Sequence, residues 1–379
     1  MGGGAAGTTI AVVNKNKEQN QNQKEEQEEK VDHIQVAKSI WDEKFLNQLI
    51  GPIYHKNLIK QLNKELKQHN INEVTLVDSN LSDEVLDGKT SVKVFQNNNE
   101  IELLFGEFLP DEKDPTLNEE QTICTDMGWR IGKLSGKEFM IVPQIMPPSV
   151  KEVPNKLPWF INSLVKTFIE NENVTIKGIE DWDTSNIQNM FDIFQNAKKF
   201  NQNIEHWDTS SARIIEAVFK GAEEFDQPLN NWDVSNVINF NGIFWGAKKF
   251  NQDLDKWDTS SAIQIIATFK DAENFNGNIT TWSLKNTVVI QSLFEGAKKF
   301  NQDISTKEIT KPDGSTYKAW DTSNVEVMVW TFKNAKGFNQ DISNWNVEKV
   351  LRNQGVLDFS KDSGLSEENL PIGFRKPKQ

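Results

Sequence analysis

The side chains that could carry chemistry are few and scattered. The chain has one cysteine, Cys124, and four histidines, His33, His55, His69 and His206. A thiol nucleophile needs a base or a cation nearby to hold it as thiolate. Cys124 stands beside Thr122 and Asp126 and reads instead as a packed small residue. A lone cysteine excludes an intrachain disulfide and a cysteine-based zinc site. No two histidines are spaced as metal ligands or as a general base and its partner. Asp253, Asp255 and Asp258 group three carboxylates of the kind calcium takes, but the corresponding stretches elsewhere in the chain do not keep that spacing. There is no glycine-rich phosphate loop, nucleophile elbow or paired-cysteine motif. The sequence therefore predicts no catalysis, no cofactor and no metal.

Recognition is the chemistry left, and two groups of residues could supply it. The first is Thr306–Lys318, where Pro312-Asp313-Gly314 sits between alternating β-formers and predicts a hairpin. It is either a tolerated insertion, since loops lengthen at little cost, or a recognition prong carrying Lys311, Tyr317 and Lys318. The second is a set of outward positions that change from one repeat to another, Gln202, Glu205 and His206 in one and Gln252, Asp253, Asp255 and Lys256 in another. Varied exposed residues on a constant frame suit protein or glycan recognition; the alternative is a solvated polar face.

The frame is a tandem repeat. Trp182, Trp207, Trp232, Trp257 and Trp282 recur every 25 residues, and Trp320 and Trp345 resume the series after the insertion. Phe194, Phe219, Phe244, Phe269, Phe294 and Phe332 keep the same register, as do an alanine three residues on and a phenylalanine three further. An asparagine follows that last phenylalanine, as Asn201, Asn251, Asn276, Asn301 and Asn339, with Asp226 in the second unit. Its expected role is a ladder satisfying backbone groups where the chain bends.

Within one unit, Trp182-Asp-Thr-Ser-Asn186 offers helix-capping side chains, and Ile187, Met190, Phe191, Phe194 and Ala197 follow at steps of three and four. This predicts a helix closed by Lys198 and Lys199. Phe200–Trp207 then reads as a short strand of a parallel sheet. The fold class expected for residues 161–379 is thus an α/β, leucine-rich-repeat-like solenoid of helix-plus-strand coils with a C-terminal cap, because a single unit cannot bury its own aromatics.

Ahead of it, residues 31–110 predict a small α+β domain: two amphipathic helices, short strands, and a turn at Asn97-Asn98-Asn99. Residues 111–160 read as a connector and a cap hairpin turning at Ser135-Gly136. Residues 1–30 read as a leader and spacer, Asn14–Lys30 having no apolar side chain. The apolar run before it is too short to span a membrane; it is either a disordered leader or the remnant of an export or anchor segment.

The unit Trp-Asp-Thr-Ser-Asn-Ile/Val…Phe…Ala-Lys-Lys-Phe-Asn-Gln-Asp-Ile/Leu resembles the repeat of the mycoplasma surface-lipoprotein repeat family, a domain of uncharacterised function related to BspA-like leucine-rich-repeat surface proteins. The likeness runs from about Thr122 to Phe374. It includes the entry segment Cys124–Gly128 with Met146–Pro154, and the exit segment Ser363–Pro371. It implies a leucine-rich-repeat-like fold and a cell-surface protein in contact with hosts or neighbouring cells. The acylated cysteine usual near the start of such proteins does not occur here. The implied partner is a protein or glycan on another cell, with a self-associating envelope scaffold as the competing function, and membrane attachment only through a truncated N-terminal anchor. If the leader is complete as written, the chain is cytoplasmic instead. Nucleic acid is not an expected partner, because a net charge of -13 repels phosphate backbones.

Overall fold

The computed structural model describes residues 33–133 and 139–376. The leader and spacer assigned to residues 1–30, and the Ser135-Gly136 turn, lie outside the described residues. The chain divides into two units, one ending at Asp111 and the other beginning at Glu112.

In the first unit, residues 33–44 form helix α1 and His55–Gln68 form α2. The apolar periodicity continues to Leu49, but α1 stops earlier and Asn47 takes a left-handed conformation, φ 58°. Leu58, Leu62 and Leu66, four residues apart, bury one face of α2. Strands β1 (Thr75–Leu76), β2 (Ser91–Gln96) and β3 (Asn99–Leu104) make an antiparallel sheet in that order. Left-handed Asn97 and Asn98 form the two-residue turn between β2 and β3. Val92 opposite Leu103 and Val94 opposite Ile101 line its buried face.

In the second unit, β4 (Thr116–Leu117) pairs with β5 (Cys124–Asp126), and β6 (Arg130–Lys133) with β7 (Phe139–Val142), both antiparallel. β8 (Lys307–Thr310) and β9 (Thr316–Ala319) form a third antiparallel pair, and α3 (Glu348–Arg352) lies near the end.

The repeats do not form the expected helix-plus-strand solenoid with a parallel sheet. Every sheet among the described residues is small and antiparallel, and the segment read as a helix is a run of turns. An α-helix needs φ near −63° at each residue, whereas Asp192 and Asn196 have φ of 57° and 58°. The same two positions are left-handed in later units, for example Gly242 with Gly246 at 61° and 72°. Glycine and asparagine tolerate this conformation best. With the backbone alternating in hand, the amides that would have closed a helix point at the next coil. Met190, Asp192, Phe194 and Asn196 donate to the carbonyls of Ile214, Glu216, Val218 and Lys220 at 2.6 to 3.1 Å. Phe240, Gly242, Phe244 and Gly246 donate in the same direction to Gln264, Ile266, Thr268 and Lys270.

Between Ser163 and Val327 parallel pairing consists of isolated bridges, one per coil, through Ser163, Asn189, Ile214, Asn239, Gln264, Val289 and Val327; other parallel bridges join Ile123, Glu152 and Lys177, and Leu49 with Phe108. Those of the coils fall in the turn segment. The segment read as a strand, Phe200–Trp207, contains none.

Side-chain columns hold the coils together. Phe194, Phe219, Phe244, Phe269 and Phe294 stack with ring centroids 5.6 to 5.8 Å apart, and Phe200, Phe225, Phe250, Phe275 and Phe300 at 5.7 to 6.0 Å. Within a coil the two rings meet at 3.9 Å, as in Phe194 on Phe200. Burial of each ring contributes about 1.5–3 kcal/mol. In the 25-residue tryptophan register the indole N–H donates to a carbonyl of the preceding coil: Trp207 to Ile179, Trp232 to Ile204, Trp257 to Leu229, Trp282 to Leu254, Trp320 to Ile279 and Trp345 to Ile304. The Asp-Thr-Ser sequence closes a turn, with Asp208 accepting the Ser210 N–H at 3.0 Å.

Candidate binding face

The turn segment turns one set of side chains inward and another outward. Met190, Ile193, Phe194 and Ala197 are fully buried. The outward positions form columns running from coil to coil, and their chemistry changes along each column. One column reads Gln188, Arg213, Ile238, Ile263, Val288, Glu326. Consecutive members are tied through the backbone: Ile263 donates to the Ile238 carbonyl at 2.9 Å, Val288 to Ile263 at 2.9 Å and Glu326 to Val288 at 2.8 Å. Ile238 and Ile263 are 46% and 44% exposed, two neighbouring apolar side chains on one column.

A second outward column reads Gln195, Lys220, Trp245, Lys270, Glu295, Lys333. The Trp245 ring lies between two ammonium groups, Lys220 at 4.3 Å and Lys270 at 5.0 Å from its centroid. Glu295 pairs with Lys270 at 3.0 Å and with Lys333 at 3.8 Å, and Lys333 covers Trp330 at 4.9 Å. Between the columns lies a row of left-handed residues that includes Ala217, Gly242, Ala267 and Ser292.

At the other end of this face two carboxyl groups sit in a poorly solvated position. Burial raises the pKa of Asp192 above its ordinary value, outweighing the attraction of Lys166 and Lys220. Glu216 is raised for the same reason and further by the charge of Asp192.

The residues singled out from the sequence lie elsewhere, and most are committed to the frame. Gln202 accepts the Ile176 N–H at 2.8 Å and donates to Glu180. Glu205 accepts from Asn231, Gln252 donates to Asp226, and Asp253 accepts the Asn278 N–H at 2.7 Å. Asp255 accepts from Asn230, and the Lys256 ammonium donates to Asn231. His206 is exposed. The asparagine register forms a ladder: Asn201, Asp226, Asn251, Asn276 and Asn301 each accept the backbone N–H of the corresponding residue one coil on, at 2.7 to 3.0 Å.

The hairpin β8–β9 lies along earlier coils. The Tyr317 hydroxyl donates to the Thr281 carbonyl at 2.6 Å, and Lys311 stands 4.0 Å from Asp258. Lys318 is exposed. Tyr317 is thus a fastening, and only the opposite side of the hairpin is open.

The Cys124 thiol is buried and donates to the Asp126 carbonyl at 3.0 Å; burial pushes its pKa up to about 11. Among the described residues no group of three His, Cys, Asp or Glu side chains is placed to hold a metal, and no helix is long and apolar enough to cross a membrane.

One feature legible in the sequence runs over two coils. Lys198, Glu223, Lys248, Glu273 and Lys298 alternate in sign at one register. Lys198 and Lys248 pair with Glu223 at 3.5 and 2.7 Å, and Lys298 with Glu273 at 2.9 Å. Lys249 pairs with Glu224 beside them.

No curated protein and no solved structure matches the chain. A family model described as "Mycoplasma protein of unknown function, DUF285" matches residues 162–265, 232–317 and 314–362, which together take in all the coils described above. By its repeat, the chain belongs to this mycoplasma family of unknown function.

Proposed function

We propose that the protein is a non-catalytic binding protein of the cell surface, presenting the outward columns of its turn segments to a protein or glycan ligand on another cell. The observation that carries this reading is the contrast between columns. The tryptophan, phenylalanine, alanine and asparagine registers are nearly constant and tied into the frame. The columns through Ile263 and Trp245 change residue at almost every coil; Arg213, Ile238 and Ile263 are exposed, and the other members are half-buried except Glu295, which is buried. Constant stacking residues beneath a varied exposed surface suit recognition, and an exposed apolar stripe beside an aromatic-cationic cluster provides contact area and orientation.

Two measurements test it. Protease shaving of intact cells removes the chain if it is displayed outside, and resistance refutes the surface assignment. Purified full chain bound to cells loses that binding on Ile238→Asp with Ile263→Asp, and retained binding refutes this face.

A further inference from the structure

Coil after coil, the turn segment hands its amides to the coil that follows. At the last junction Met328, Trp330, Phe332 and Asn334 donate to the carbonyls of Gly355, Leu357, Phe359 and Lys361 at 2.7 to 3.0 Å. The final coil repeats the arrangement, with Asp358 and Asp362 at its two left-handed positions, φ 49° and 58°. Its corresponding donors, the amides of Val356, Asp358, Ser360 and Asp362, have no acceptor among the described residues. The stack thus ends on a row of donors, comparable to the unpaired outer strand of a sheet.

Apolar side chains stand open at the same end. Leu357 is 60% exposed, and Leu351 and Ile372 are 46% and 70% exposed. The backbone at Gly373 comes so close to Leu351 that an added Cβ would lie 2.9 Å from its Cδ1, which places Ile372 beside Leu351.

What fits this edge is constrained. Two such ends cannot pair with each other, because each offers N–H groups and no carbonyls. The first coil of another copy cannot supply them either: Thr167 accepts the Met146 N–H at 2.9 Å, and Asn162 bonds Ile141 at 2.8 and 3.1 Å, so that coil is already covered. Acidic segments meet the carboxylates of Asp358 and Asp362. Of the stretches outside the described residues, one is uncharged, residues 2–13, Gly-Gly-Gly-Ala-Ala-Gly-Thr-Thr-Ile-Ala-Val-Val. An extended strand turns every second carbonyl to one side, so this stretch is long enough to meet all four amides. Its glycines take either backbone hand without strain, and Ile10, Val12 and Val13 offer apolar contact to Leu357 and Ile372. Residues 14–32 join it to α1 and reach ~65 Å when extended.

We infer that residues 2–13 of a second copy of this chain dock on the open amide edge at residues 356–362, as one further coil. The contact joins unlike surfaces, so it repeats from copy to copy and builds open rows of molecules instead of a closed dimer. It leaves the outward columns free and stands apart from the binding face proposed above.

Amide hydrogen exchange of the full chain tests it. At about 200 µM the amides of Val356, Asp358, Ser360 and Asp362 exchange roughly tenfold slower than in a chain lacking residues 2–13, and dilution to about 2 µM removes the difference. A synthetic peptide of residues 2–13 restores the protection to the shortened chain. Sedimentation velocity finds species larger than a dimer for the full chain and none for the shortened one. Ile10→Ser with Val12→Ser and Val13→Ser weakens assembly as the deletion does. Neither change touches a described residue, so loss of the fold does not imitate the result. Equal exchange of the four amides in the two chains at about 200 µM overturns the inference. Protection that survives dilution overturns the second copy as its source.

Discussion

The carboxamide oxygen of Asn251 accepts the backbone N–H of Asn276 at 2.7 Å, one coil further along the stack. Asn251→Ala deprives that N–H of its acceptor and lowers stability by about 1 kcal/mol. Asn251→Asp is close to neutral, because Asp226 already does the same for the Asn251 N–H at 2.9 Å. Urea unfolding followed by tryptophan fluorescence separates the two variants.

Asp192→Asn raises stability at neutral pH. Burial lifts the Asp192 carboxyl above its ordinary pKa, so the folded state binds a proton more tightly than the unfolded one, and stability falls as pH rises through that range. The amide removes this penalty, relieves the repulsion on Glu216 and suits the left-handed backbone, φ 57°. The gain shrinks as pH falls toward the ordinary carboxylate value of about 4, where both states are protonated. Unfolding midpoints at the two pH values check it.

Cys124 is unreactive in the native protein at pH 8, because burial pushes its thiol up to about 11. Iodoacetamide labels it only after unfolding. The folded state disfavours the thiolate, so this residue's contribution to stability is intact below the unfolded value of ~8.5 and is lost as pH rises from there towards 11.

Lys248→Glu places three carboxylates in succession with Glu223 and Glu273. The melting temperature falls at low salt, and the fall narrows as salt shortens the Debye length from about 30 Å at 0.01 M to about 3 Å at 1 M. A fall that does not respond to salt assigns Lys248 a packing role instead.

The stacking registers were legible because identical aromatics at a fixed interval admit one arrangement. What those registers do between Trp182 and Phe200 was not. Apolar residues at Ile187, Met190, Phe194 and Ala197 fit a helix and a stack of turns equally well, since both bury the same side chains. The distinction lies in two left-handed residues per coil. At the first position the chain uses Asp192, Ala217, Gly242, Ala267, Ser292 and Trp330, which as a set carry no turn signal. At the second it uses Asn196, Gly221, Gly246, Asp271, Gly296 and Asn334, all residues that favour this conformation, and that register was the available clue. The ladder in the turn segment also turns a second set of changing positions outward at 188–195, beside those at 202–206. The Lys-Glu alternation was missed for a different reason: it repeats only over two coils, so comparison of single units reads it as noise.

The direction of the backbone ladder has a consequence for the stack as a whole. In the turn segments most inter-coil N–H groups donate toward the C-terminal coils, from Leu164 donating to Asn189 through to Asn334 donating to Lys361, against one register, that of Gln188, Arg213, Ile263, Val288 and Glu326, which donates back to the preceding coil. Peptide dipoles set end to end add, as they do along a helix axis. The stack is therefore an electrical object with a carbonyl pole at its first coil and an amide pole at its last, where Asp358 and Asp362 lie. Lengthening it by whole coils would separate the poles without altering either of them.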